Sequence, residues 1–420
     1  MATQTPDSTP QAILIPPLIR RNTWLLALTQ AVVGAGMQLL PALGAITVVQ
    51  LLGNNTWAGI ATALAGLARM LTAYPVGRLS DARGRKAGLY LGLVGAMGGA
   101  GLTGWAVAAS SFWLFVAGIL VFGAGVGATQ QLRVAAADMY PPARRSEGIS
   151  LVLMGSLVGA GLSPILVWLA QRLGPEVGQS PLSLAWLLVP PFILPALLLL
   201  SRLRPDPKQI ARHLHLYYPT LPAASVVGKG KASSRPALNA ATWTGVAAQG
   251  QMVMLMAMTS LALRHQGCSF ELISLSVAVH VMGMFGLSWF VGKLADTHGR
   301  KPVMLGGLVL SGLGAVLVAT SAEYAVITLG TFLVGLGWSG AYVGATTVVS
   351  DVTAPDERGQ AVGRLDLWSN GAGAILPILA GFLVEGVGIW AIGLAGVTIL
   401  LYPLWLTLRL VEDQPGVYSS

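Results

Sequence analysis

The sequence predicts an all-α polytopic membrane protein with twelve transmembrane helices in two pseudo-symmetric six-helix bundles. Composition is the first ground for this. Hydrophobic residues make up 54% of the 420 positions and charged residues only 10%, against about 25% in a soluble domain. The mean hydropathy is +0.69. The second ground is a succession of apolar runs near the ~20 residues needed to cross hydrocarbon. The third is a charged segment that occurs twice.

The predicted spans are 24–49, 56–78, 87–108, 112–137, 147–170, 183–203, 238–263, 271–294, 302–320, 325–349, 361–384 and 388–408. The domains follow: an N-terminal tail (1–21), a first bundle (22–203), a central loop (204–237), a second bundle (238–410) and a C-terminal tail (411–420). Glycine is abundant, at 53 residues, which suits close helix packing in lipid. Pro164 and Pro377 are expected to bend spans five and eleven, because each removes a helical hydrogen bond.

Basic residues set the expected orientation. With the N-terminus inside, twenty of the 25 Lys and Arg lie on or beside one face of the membrane. This is the positive-inside pattern, so both termini are expected in the cytoplasm. The net charge of +9 is therefore topological, and no nucleic-acid partner is expected.

GRLSDARGRK at 77–86 recurs as GKLADTHGRK at 292–301. DMYPPARRSEGIS at 138–150 matches DVTAPDERGQAVG at 351–363, with Asp138 on Asp351 and Arg145 on Arg358. Two matches at nearly one offset imply two six-span halves of parallel topology, with a solute path between them.

On these residues the chain resembles the major facilitator superfamily, over about 20–410. Gly77, Asp81, Gly84, Arg85 and Lys86 supply its loop motif, and Gly292, Asp296, Gly299, Arg300 and Lys301 supply a second copy. The resemblance implies a gate latch. Asp81 would face the helix starting near Gly359, and Arg85 would pair with Asp138. Asp296 would lie near Ser146, and Arg300 would pair with Asp351. An acid at a helix N-terminus meets unpaired N–H groups, which supports the reading independently.

Segment 280–296 is similar to a pattern in bacterial exporter-like members. Ile119 stands where many proton-coupled drug exporters carry Arg, and span one has Gln30 and Gln38 where several use a carboxylate. The location implied is the bacterial inner membrane, and the protein is expected to be monomeric.

Polar residues deep in a span are costly and point to function. Arg69 lies eight residues from Gly77, about 12 Å along the helix. Arg133, Arg364 and Asp366 are the other charges within spans. Asp366 is a candidate proton site, with an ion pair to Arg133 or Arg69 as the competing reading. His280 is a second coupling candidate, since imidazole titrates near neutral pH. Gln30, Gln38, Gln130, Gln249, Gln251 and Asn370 are candidates to line the path without charge.

A single cysteine, Cys268, excludes an internal disulfide and a multi-cysteine metal site. His213 and His215 have no further ligands near them in sequence. No G-x-x-x-x-G-K-[S/T] occurs, and no catalytic triad is suggested. The expectation is a secondary transporter without cofactor, with Asp366 and His280 as the groups available for coupling to protons. Export of an amphipathic or hydrophobic small molecule by proton antiport is the first reading. Uptake or facilitated transport of an organic anion is the second, because Arg69, Arg133 and Arg364 outnumber Asp366. Lipid translocation is the third. The expected partners are a small-molecule or lipid-like substrate and the membrane lipids.

Overall fold

The computed structural model describes residues 14–53, 60–219, 235–265, 270–387, 390–414 and 417–419. Cys268 and the middle of the central loop lie outside them.

In chain order the helices are α1 (Pro17–Leu52), α2 (Ile60–Arg83), α3 (Arg85–Ala108), α4 (Phe112–Thr129), α5 (Gln131–Met139) and α6 (Arg145–Leu173). Next come α7 (Pro181–Leu187), α8 (Val189–Ser201), α9 (Pro207–Arg212) and α10 (Leu214–Tyr217). The rest are α11 (Arg235–His265), α12 (Phe270–Val281), α13 (Ser288–His298), α14 (Arg300–Thr320), α15 (Tyr324–Val352), α16 (Arg358–Val387) and α17 (Trp390–Arg409). A π-helical turn, Met282–Gly286, joins α12 to α13.

Among the described residues, nine helical stretches are long and apolar enough to cross a membrane. The protein is a multi-pass membrane protein of almost wholly helical structure. Outside those nine, α2, α11 and α16 have 24, 31 and 30 residues. Of these, α2 and α16 carry the deep charges Arg69, Arg364 and Asp366. Large apolar side chains face outward, among them Trp113 (80% exposed) and Leu198 (66%). Water would not tolerate that exterior, and lipid does.

The expected tail 411–420 is not simply a tail. Val411–Gln414 (β1) and Val417–Ser419 (β2) pair antiparallel, with Glu412 opposite Tyr418. Val and Tyr favour extended backbone, and the pairing brings Glu412 back to the start of α14.

Interior packing is organised around small residues. One apolar cluster draws on residues from Ile19 to Tyr218, and another on residues from Ala247 to Leu400. The pairing of α3 with α4 is matched later by α14 with α15, and that of α1 with α6 by α11 with α16. Between the clusters, α2 packs on α16 and α6 packs on α13. Glycines set the spacing. A Cβ at Gly125 would lie 2.1 Å from the Ala96 nitrogen, and one at Gly155 would lie 2.2 Å from the Ala27 oxygen. Both neighbours are backbone atoms and have nowhere to go.

Gly125→Val is therefore expected to lower stability by about 1–3 kcal/mol through overpacking. Thermal unfolding of the purified protein in detergent would check this. An unchanged melting temperature would contradict the close α3–α4 contact.

Candidate functional site

The repeated motif builds two charge clusters at one end of the helices, here called the motif end. In the first, the Asp81 carboxylate accepts from the backbone N–H of Gly359 (3.0 Å) and Gln360 (2.7 Å), capping α16. Arg85 donates to Asp138 (2.6 Å), to Asp81 (2.5 Å) and to the Pro355 carbonyl (2.9 Å). Arg358 donates to the other oxygen of Asp138.

The second cluster repeats the pattern. Asp296 accepts from the N–H of Ser146 (3.1 Å) and Glu147 (2.8 Å) at the start of α6. Arg300 donates to Asp351 (3.0 Å) and to the Pro142 carbonyl, and Arg145 donates to Asp351 (2.5 Å). Asp138 and Asp351 thus each hold two arginines, one from before and one from after the central loop.

The motif glycines let these contacts form. A Cβ at Gly77 would lie 2.2 Å from the Gly359 oxygen, and one at Gly292 would lie 2.6 Å from the Ser146 oxygen. Gly84 and Gly299 turn the chain at φ of 96° and 99°, a region that favours glycine.

Sequence reasoning missed four participants. Arg145 and Arg358 align in the repeat, which was the available signal. Asp206 and Glu412 carried none. Asp206 caps α3 through the N–H of Arg85 and Lys86 (both 3.1 Å). Glu412 caps α14 through the N–H of Arg300 (2.9 Å) and Lys301 (2.8 Å). Lys86 and Lys301 therefore enter the clusters through their backbone. The Lys86 ammonium reaches the Ser201 carbonyl (3.4 Å).

Helix α9 lies across the same end. Lys208 donates to the Asp81 carbonyl and pairs with Asp356 (3.1 Å), which also holds Arg212 (2.6 Å). Burial raises the Asp356 pKa, but the hydrogen bonds and charges of Arg212 and Lys208 outweigh this and hold it below the ordinary carboxylate value.

Deeper between the helices lies a third set. Arg133 on α5 donates through Nη2 to Asp366 Oδ1 on α16. Tyr342 on α15 donates to the same oxygen at 2.8 Å. The Arg133 guanidinium lies 4.8 Å from the centre of the Tyr342 ring, which stacks on Trp338. Trp338 donates to Gln249 Oε1 at 2.8 Å. Arg133 Nε and Nη1 are buried and have no partner among the described residues. Asn370 donates to the Asp366 carbonyl at 2.8 Å. Trp338 and Tyr342 were also missed, although two aromatics four apart share a helix face.

The other candidates are dispersed. Arg69 is half-buried and donates to its own helix at the Ala65 carbonyl (3.2 Å). Gln38 and Gln130 are half-buried. Four more candidates have contacts of their own. Arg364 is exposed and lies over the Tyr74 ring at 5.8 Å, because two residues along a helix from Asp366 is the opposite face. Gln30 joins α1 to α6 through Ser156 (2.8 Å). Gln251 is buried against α14, donating to the Ser311 carbonyl (3.0 Å). His280 is buried between α12 and α15, with Nδ1 on the Thr331 carbonyl (2.7 Å). Among the described residues no group of three or more ligating side chains could hold a metal ion.

The profile described as Major Facilitator Superfamily matches residues 26–262 and 240–419. The chain belongs to the major facilitator superfamily. It is a secondary transporter that works by alternating access, and not an enzyme. Superfamily relatives match along nearly the whole length. An uncharacterized MFS-type transporter, YdeG of Bacillus subtilis, is 28% identical over 92% of this chain and 91% of its own. The riboflavin transporter RfnT of Brucella anthropi is 28% identical over 93% of this chain and 96% of its own. Among solved superfamily structures, the human organic anion transporter MFSD10 has the same fold. Its TM-score is 0.74 at 17% identity, over 93% of this chain and 100% of that one.

Losing a helix cap costs roughly 1 kcal/mol. Asp206→Ala and Glu412→Ala are each expected to lower the unfolding temperature measurably, and the double variant to show the sum. Thermal melts of the single and double variants would check this, and no shift in either single variant would contradict the capping.

Proposed function

We propose that this transporter takes up an organic anion, or lets one pass, with Arg133 binding the anion and Asp366 holding a coupling proton. The observation that carries the reading is the Arg133 guanidinium, buried beside Asp366 with Nε and Nη1 unpartnered. A buried cation with unused donors, away from bulk water, favours an anionic ligand.

The internal repeat adds a second argument. At the offset that aligns Asp138 with Asp351, Arg133 corresponds to Thr346 and Asp366 to Leu153. Leu153 sits in an apolar cluster with Ala137, Ile149 and Val343. The scaffold therefore does not require a charge pair at this place. Its presence in one copy alone supports a role in transport.

The exchange is simple to write. A proton arriving at Asp366 neutralises the carboxylate and weakens its hold on Arg133. The guanidinium then takes a carboxylate or other anionic group of the solute. Proton and anion move together in one direction, and release of both restores the Arg133–Asp366 pair. Export of an apolar compound by proton antiport is less well supported, because an apolar cargo leaves the buried Nε and Nη1 of Arg133 without a partner. Lipid translocation would need a gap between α2 and α16, which are in close contact at Gly77 and Gly363. MFSD10 is named for organic anions, which agrees with the reading. At 17% identity that likeness bears on the fold, and the weight rests on Arg133.

We place this site within a monomer of twelve spans, in bundles 22–203 and 238–410. The motif end faces the cytoplasm of a bacterial inner membrane, as the basic residues suggest. The twin clusters act as latches that close that end, favouring the outward-facing form.

Proteoliposome flux tests the substrate class, comparing organic anions with lipophilic cations, with and without a pH gradient. Arg133→Ala is expected to lose anion flux by at least about thirtyfold, since truncating a buried charged partner costs ~2–5 kcal/mol. Asp366→Asn is expected to abolish the response to the gradient. Wild-type anion flux in Arg133→Ala would refute the assignment.

The latch has its own test, with spin labels at the exposed positions Arg83→Cys and Glu357→Cys in a Cys268→Ser background. Breaking a buried ion pair costs about 3–5 kcal/mol, so Asp138→Asn should shift the population toward longer distances. An unchanged distance distribution would count against gating by this cluster.

A further inference from the structure

A separate site lies at the motif end, on the outer surface of the bundle. The start of α11 and the end of α17 diverge there and leave an open groove of about 670 Å³. Arg235 and Asn239 line one wall, and Trp405, Leu406 and Arg409 line the other. Both arginines are exposed. Neither has an ion pair or hydrogen bond with any described residue, and among the described residues no acidic side chain lines the groove.

The surroundings select the ligand. The Arg409 guanidinium is held 4.1 Å from the centre of the Trp405 ring. From Trp405 an aromatic strip continues along the exterior: Tyr402 stacks on Trp405, and Trp243 meets Tyr402 edge-on at 5.4 Å. These rings are 43–48% exposed. The groove is thus cationic where the helices end and apolar along their length. Trp and Tyr favour the level where headgroups meet hydrocarbon. A free anion would use only the cationic end. A phospholipid would use both, with its phosphodiester between Arg235 and Arg409 and an acyl chain along Trp405, Tyr402 and Trp243.

We propose that this groove binds one anionic phospholipid from the leaflet at the motif end. A zwitterionic lipid brings a choline cation that two guanidinium groups repel. Phosphatidylglycerol offers the same phosphodiester with an uncharged, hydroxylated headgroup and so keeps its net negative charge. The site is independent of Arg133 and Asp366, so it stands or falls apart from the substrate assignment. It would tie α11 to α17 through a molecule of the bilayer.

The experiment is lipid retention by the full-length protein in detergent, read by native mass spectrometry. Phosphatidylglycerol and phosphatidylcholine with the same acyl chains are titrated separately. Selective retention of phosphatidylglycerol is expected. Arg235→Gln with Arg409→Gln should weaken it about thirtyfold, since each basic side chain at an anionic surface is worth about a factor of five. Each single variant should show about a fivefold loss, so the result does not hinge on the double variant folding. Arg409→Lys should keep most of the binding. Equal retention of both lipids would overturn the proposal, as would wild-type retention in both single variants. Glycerol 3-phosphate is the headgroup-only arm. Failure to compete at millimolar concentration is expected, and displacement of the lipid there would assign the site to a free phosphate ester instead.

Discussion

Asp138 and Asp351 are each buried carboxylates shared by two arginines, and the arrangement of this end of the molecule depends on that sharing. A carboxylate with one guanidinium is neutral and complete. With two, the cluster carries an excess positive charge in a region poor in water. That excess is met by the motif acids and by carbonyls: Arg85 reaches Asp81 and the Pro355 oxygen, and Arg300 reaches the Pro142 oxygen. Each arginine thus reaches across from its own repeat to the other. The two repeats are held by side chains that neither could satisfy alone.

The first cluster and the Arg133–Asp366 pair join the same two helices. On α5, Arg133 and Asp138 are five residues apart, and on α16, Arg358 and Asp366 are eight apart. The two links run with opposite polarity: cation to anion at the deeper level, anion to cation at the motif end. Any rearrangement of Arg133 and Asp366 acts on helices that also carry the proposed latch. On that proposal the binding event has a mechanical route to the motif end. The second cluster has no such partner, because Thr346 and Leu153 occupy the matching places. The near-symmetric scaffold is therefore asymmetric where chemistry is proposed.

Much of the architecture was legible because membrane spans and internal repeats are both written locally. The contacts of Asp81, Arg85, Asp296 and Arg300 followed from a motif with a known geometry. Asp206 and Glu412 did not, since they approach from 121 and 112 residues away in segments without a repeat. The path residues were only partly legible. Hydropathy says that Arg364 lies in a span, but not which way it faces, and its position two residues from Asp366 puts it on the opposite helix face, over the Tyr74 ring. Gln30 and Gln251 each hydrogen-bond a neighbouring helix. A polar residue in a span must find a partner, and the sequence does not say whether that partner is a solute or a neighbouring helix.

That distinction can be drawn from what is left over once the partners are counted. Gln30 has Ser156, Gln249 has Trp338, and His280 has the Thr331 carbonyl through one ring nitrogen. Arg133 has Asp366 for one nitrogen and the Tyr342 face for its plane, yet two donors stay unused. A purely structural arginine would be expected to spend those donors on carbonyls, as Arg145 and Arg358 do on Ala137 and Ser350. Leaving a buried donor unmade costs about 1–3 kcal/mol. That cost is tolerable in a resting state if another state recovers it, and a bound anion is the partner whose charge and hydrogen-bonding capacity match what Arg133 lacks.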